Sequence, residues 1–138
     1  MGIRSIVVGT DGSEPSYRAF AMAVGLASRE QGSVHACFVS HVPGAAALGG
    51  FFAPVPLMGD SESDDRLARF VAEELGQAHI RGDFTCRSGE VAAELELTAE
   101  DCKADLVVVG RSAHPTLHLG GVPRQLLARG RFPILVVP

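Results

Sequence analysis

The residues best suited to chemistry fall in two short segments. One is Val8-Gly9-Thr10-Asp11-Gly12-Ser13, an apolar run that ends in a glycine-flanked aspartate. The other is Val108-Val109-Gly110-Arg111-Ser112, followed after a loop by Gly120-Gly121-Val122-Pro123-Arg124. A glycine turn that leads into a helix leaves backbone N–H groups unpaired, and the helix dipole favours an anion there. Both segments therefore suit a phosphate. Neither spells the dinucleotide fingerprint or the lysine-containing phosphate loop, and each reads equally as a tight turn. Asp11 has a similar pair of readings. Its carboxylate can accept bonds from a sugar's hydroxyls, or it can cap the turn at Ser13.

Other reactive side chains are scattered. His114 and His118 stand four apart with Pro115 between them, which reads as loop rather than as a helical metal pair. With Arg111 and Arg124 they would lend that loop positive charge toward an anionic ligand. Ser112 beside His114 or His118 gives an alternative reading as a small hydrolase, although no G-x-S-x-G elbow is present. Glu62, Asp64 and Asp65 form an acidic cluster that fits either a metal or a dipole-matched helix start. Cys37, Cys86 and Cys102 are odd in number and form no CxxC pair, so they read as reduced structural thiols.

These segments need a framework to hold them. Continuous apolar runs at 5–9, 34–42, 106–110 and 134–137 suit strands buried on both faces, and 83–87 is a weaker strand candidate. Between them, apolar residues recur at helical spacing. Phe20, Ala23, Val24 and Ala27 share one face, as do Leu67, Phe70, Val71 and Leu75, and then Ala92, Leu95, Ala99 and Cys102. Ser13 reads as the N-cap of the first helix. A short last helix has Pro123 in its first turn, Leu126 and Leu127 pointing inward, and Gly130 at its exit. The order β-α-β-α-β-α-β-α-β predicts an α/β domain over 1–138: an open, five-stranded parallel sheet with right-handed crossovers and helices on both faces. The stretch 43–59, PGAAALGGFFAPVPLMG, interrupts this rhythm as a lid, a partner surface or a packed flap.

Composition narrows the function. A formal net charge of −4 and a pI near 5.7 argue against nucleic acid as partner. No apolar run approaches the roughly 18 residues of a membrane span. The N-terminus runs directly into a strand, so no signal peptide is expected and the chain reads as cytoplasmic.

In combination, VVGTDGS at 7–13, SGEVAAEL at 88–95, DLVVVGR at 105–111 and GRFPILVV at 130–137 resemble the universal stress protein family over the whole chain. The resemblance implies a Rossmann-like sheet of the adenine nucleotide alpha hydrolase kind, in order 3-2-1-4-5. It also implies a role in stress response, either through a bound nucleotide or, alternatively, through protein contacts alone. Some members bind ATP through G-x2-G-x9-G-S/T. Gly110 and Gly120 match the outer glycines, Ala113 replaces the second, and Gly121 replaces the hydroxyl residue. The spacer between Gly110 and Gly120 is three residues shorter than the motif's. The implied cleft lies above Gly9, Thr10, Asp11, Gly110 and Arg111, with Val42 toward the adenine end. Gly120, Gly121 and Val122 form its phosphate end. The implied ligand is an adenine nucleotide held weakly, ATP or another, with magnesium only as carried by the nucleotide; the shortened spacer, Ala113 and Gly121 argue against tight ATP binding. No catalytic residue is assigned.

The same order puts Pro133 to Val137 at a sheet edge. This strand is short, uncharged and apolar, and such edges seek a partner. The resemblance implies a homodimer that pairs it antiparallel across a two-fold axis. Alternatively, the flanking Pro133 and Pro138 block pairing and leave a monomer.

Overall fold

The computed structural model describes residues 2–41, 61–111 and 121–138. The elements follow in the order β1 (Ser5–Gly9), α1 (Glu14–Glu30), β2 (Ser33–His41), α2 (Ser61–Ala78), β3 (Arg81–Gly89), α3 (Val91–Asp101), β4 (Leu106–Gly110), α4 (Val122–Arg129) and β5 (Ile134–Val137). The five strands form one sheet in the order β3-β2-β1-β4-β5, and every neighbouring pair is parallel. The expected α/β class and strand order are both present.

Strand alternation splits the core in two. Ile6, Val8, Val34, Ala36 and Val108 face α1 and α2, whose Phe20, Ala23, Val71 and Leu75 fill that side. Val7, Cys37, Val39, Val107 and Val109 face α3 and α4, which supply Ala92, Leu95, Ala99 and Leu126. β1 and β4 show no alternation in sequence because both of their faces are covered.

Two local expectations are corrected. β3 runs Arg81–Gly89, well beyond 83–87, because β2 pairs with it from Ser33↔Arg81 to His41↔Gly89. Its polar sequence concealed it, since β3 is an edge strand that needs few apolar groups. Leu127 does not point inward: it is 61% exposed, while Leu126 is 1% exposed. Adjacent helical residues lie about 100° apart, so a single narrow contact buries one of them.

The chain moves outward from β1 to β2 and β3, then returns past β1 to β4 and β5. The crevice between β1 and β4, at the strands' carboxyl ends, is the switch point where open α/β sheets bind ligands. Gly9 and Gly110 end those two strands.

Candidate functional site

A cleft of about 440 Å³ opens at that switch point, within the range of small-ligand sites. Gly9, Thr10, Asp11, Gly110, Arg111 and Val122 all line it, so six of the residues anticipated from sequence come together. Gly121 is the N-cap of α4, immediately before Val122. Val42 and Gly120 lie outside the described residues, as do the 43–59 stretch, Ser112, His114 and His118. The floor was not anticipated. Cys37 and Val39 from β2, Val91 and Leu95 from α3 and Val109 from β4 form it. Strand parity and i, i+4 spacing hold the only sequence signal for this wall, and the ordinary core carries the same signal.

Backbone bonds fix the β1 side of the cleft. Thr10 N–H donates to Cys37 O at 2.9 Å, which extends the β1–β2 pairing by one residue and sets where Asp11 begins. Asp11 Oδ1 accepts from Ser13 N–H at 2.9 Å. Ser13 in turn caps α1, its side chain accepting from Ser16 N–H. Asp11 therefore caps the turn with one oxygen, while the other has no partner among the described residues. Asp11 is the only carboxylate among the described lining residues.

The α4 side differs from the other helix starts. Glu14 stands in the first turn of α1, Glu62 and Asp64 in that of α2, and Glu94 in that of α3. Carboxylates there complement the dipole. α4 has no acid in its first turn and no side-chain cap. Arg124 and Gln125 N–H both donate to Gly121 O, and Pro123 has no N–H. Gly121 and Val122 N–H are the donors left without a partner among the described residues. Arg124, in the same turn, and Arg111, across the cleft, are exposed and form no ion pair with a described residue. Arg111 is held by its backbone, since its N–H donates to Val137 O at 2.7 Å. Of these groups, Arg111 and Val122 line the cleft, and Gly121 and Arg124 flank Val122 in the chain.

Cys37 carries no reactive thiolate at the cleft floor. Burial pushes its thiol pKa up, only partly offset by bonds from Thr98 and Thr85. Cys86 and Cys102 are also free thiols.

A serine–histidine–aspartate row lies elsewhere, near the amino end of β2. Ser33 Oγ is 3.2 Å from His35 Nε2, and His35 Nδ1 is 3.1 Å from Asp83 Oδ1. An acyl-transfer site also needs donors for an oxyanion. The nearby donors are already used, since Gly32 N–H bonds Ala27 O and Ser33 N–H bonds Arg4 O. The row is a cross-strand stitch between β2 and β3.

The family model described as universal stress protein family matches residues 2–138. The chain belongs to the universal stress protein family. A universal stress protein of Methanocaldococcus jannaschii is 30% identical over 142 residues, covering 97% of this chain and 81% of that protein. Among solved structures, a universal stress protein in complex with cAMP superposes with a TM-score of 0.75 at 24% identity, covering 99% of this chain and 98% of that one. A universal stress protein from Archaeoglobus fulgidus in complex with dAMP superposes with a TM-score of 0.66 at 18% identity, covering each chain fully. At these identities the structural likeness shows the fold alone. Within the described residues, no helix of this universal stress protein is long and apolar enough to cross a membrane.

Proposed function

We propose that this universal stress protein binds an adenine mononucleotide at the β1–β4 switch point and acts as a dimeric stress-response module of the cytoplasm. The observation that carries the reading is the α4 start, which has no side-chain cap and no acid in its first turn, holds Arg124 there, and shares the cleft lining with Arg111 through Val122. These donors fit one phosphate. Asp11 faces the sugar, and the apolar floor of Val39, Val91 and Leu95 receives the base. The cAMP and dAMP complexes of two structural neighbours support a single-phosphate ligand. ATP is the less suitable ligand because Pro123 removes a donor, Gly121 lacks a hydroxyl, and the spacer before Gly120 is short. Calorimetry tests this. AMP is expected to bind, and ATP with magnesium to bind no tighter. Arg124→Ala should weaken AMP about tenfold, the worth of one charge-assisted phosphate bond. Unchanged AMP affinity in that variant, or micromolar ATP binding well above that of AMP, contradicts the reading.

The dimer rests on the β5 edge. Val107 N–H donates to Pro133 O and Arg111 N–H to Val137 O, so odd-numbered residues of β5 turn toward β4. By alternation, Ile134 and Val136 N–H point to the open edge. Exposed apolar side chains border that edge on both faces. Leu127 is exposed on the α4 flank opposite Arg129, and Val136 is exposed on β5 itself. On the other face Arg18 Nε donates to Pro138 O, and Met22, 47% exposed, lies one turn further along that flank of α1. A second copy of the chain covers all three side chains at once. Val136→Pro removes an outward donor while sparing the bonds to β4. Light scattering is expected to give a dimer for the wild type and a monomer for Val136→Pro. A monomeric wild type at micromolar concentration contradicts the dimer.

A further inference from the structure

Among the described residues, Glu96 is the buried carboxylate that the proposed site does not use. It lies on α3 with its side chain only 4% exposed, among the groups that form the α3–α4 core. Burial of a carboxylate is costly unless it is paired, and here the partners come from the far end of α4 and the turn beyond it. Arg129 Nε donates to Glu96 Oε2 at 2.8 Å. Arg131 Nη1 lies 3.8 Å from the same oxygen, and its other nitrogen pairs with Glu100. Arg129 also reaches Glu90 Oε2 at 3.8 Å. Glu90 is the N-cap of α3, so α3 holds Arg129 from its cap and from its middle.

The apolar anchoring of α4 is narrow. The helix is eight residues long, and Leu126 is its one fully buried side chain. A helix this short is not stable by itself. Leu126 and the partly buried Val122 one turn earlier pack on the same core and set the helix's distance from the sheet, but contacts along one line leave it free to roll about its own axis. Arg129 lies on the flank of α4 that faces α3, about 7 residues and two turns from the end that meets the cleft. Holding Arg129 against Glu96 removes that roll and thereby aims the Gly121–Val122 N–H groups.

We infer that the Glu96–Arg129 pair is a positioning device that orients the anion-binding start of α4, so that Glu96 acts on ligand phosphate without touching it. This inference rests on the phosphate reading given above. Its signature is selectivity between ligands. A clamp that only holds the fold together affects all ligands alike, whereas one that aims α4 affects only the contribution of the phosphate.

The test compares AMP with adenosine by calorimetry in the wild type, Glu96→Gln, Arg129→Met and Arg129→Lys. The AMP-to-adenosine affinity ratio is expected to fall by roughly three- to tenfold in Glu96→Gln and Arg129→Met, the scale of a misdirected helix terminus. Adenosine affinity should stay unchanged, and Arg129→Lys should retain most of the ratio because it keeps the charge. Equal weakening of both ligands, or no change in the ratio, overturns the inference. If Glu96→Gln fails to fold, the two Arg129 variants carry the test, since that side chain is 43% exposed. If the wild type binds neither ligand, the phosphate reading fails, and amide hydrogen exchange then judges the clamp separately. Faster exchange at Leu126–Arg129 than in the wild type, with β1 unchanged, supports positioning. Unaltered exchange in α4 overturns it.

Discussion

Gly110→Ala is expected to lower the free energy of unfolding by about 2–3 kcal/mol, the cost of forcing atoms into a packed site with no slack. A methyl group on Gly110 would sit 2.5 Å from the Pro15 carbonyl carbon and 2.7 Å from its oxygen. Those are backbone atoms in the first turn of α1, so no side-chain rotation makes room. The cost lies in this contact and not in the backbone angles, since Gly110 is absent from the positive-φ glycines Gly12, Gly89 and Gly130. At Gly12 the balance is reversed, with φ at 80° and nothing within 4 Å of an added methyl. The glycine that the family motif associates with phosphate is thus needed here to let α1 enter beside β4. Denaturant unfolding measures the effect as a drop in midpoint at constant slope. A midpoint within error of the wild type contradicts it.

Leu95→Ala is expected to cost about 3 kcal/mol, within the range for a buried leucine that leaves a cavity. Leu95 is 1% exposed and lies in the α3–α4 core as well as in the cleft floor. Its truncation removes core contacts and enlarges the space for the base, so adenosine affinity should fall along with stability. Gly9 supplies an internal check, because a methyl there would meet Leu95 Cδ1 at 3.1 Å. Gly9→Ala crowds Leu95 in the wild type but finds room in Leu95→Ala. The double variant should therefore be more stable than the sum of the single effects requires, by about 1 kcal/mol. Additive losses contradict the packing described between β1 and α3.

The elements that the sequence revealed are those whose burial leaves a periodic mark. SIVVG and LVVVG are apolar throughout because helices cover both of their faces, and α1 and α2 show apolar positions at helical spacing. β3 left only a weak mark, at 83–87. Its residues RGDFTCRSG satisfy an edge, and its limits are set by pairing with β2, a non-local fact. The rim of the cleft was legible because glycines and an aspartate at strand ends stand out from apolar runs. The floor was not, because Cys37, Val39 and Leu95 carry the same composition as the rest of the core. Glu96 was invisible for a different reason. Its place in the helical pattern suits a solvated acid, and only contact with Arg129, 33 residues away, makes its burial tolerable. Leu127 shows the reverse case, an apolar residue beside the buried Leu126 that is exposed on the β5 side.

Backbone amide shift mapping during an AMP titration tests the central claim most directly, because it reports whether a mononucleotide binds and where. Saturable shifts are expected at Gly9 to Ser13 and at Arg111, Gly121 and Val122, with adenosine reproducing the β1 shifts but not those of Gly121 and Val122. The Ser33, His35 and Asp83 amides at the opposite end of the sheet should not move. No saturable shift at millimolar AMP, or shifts confined to residues away from the β1–β4 crevice, would contradict the assignment of this cleft as a mononucleotide site.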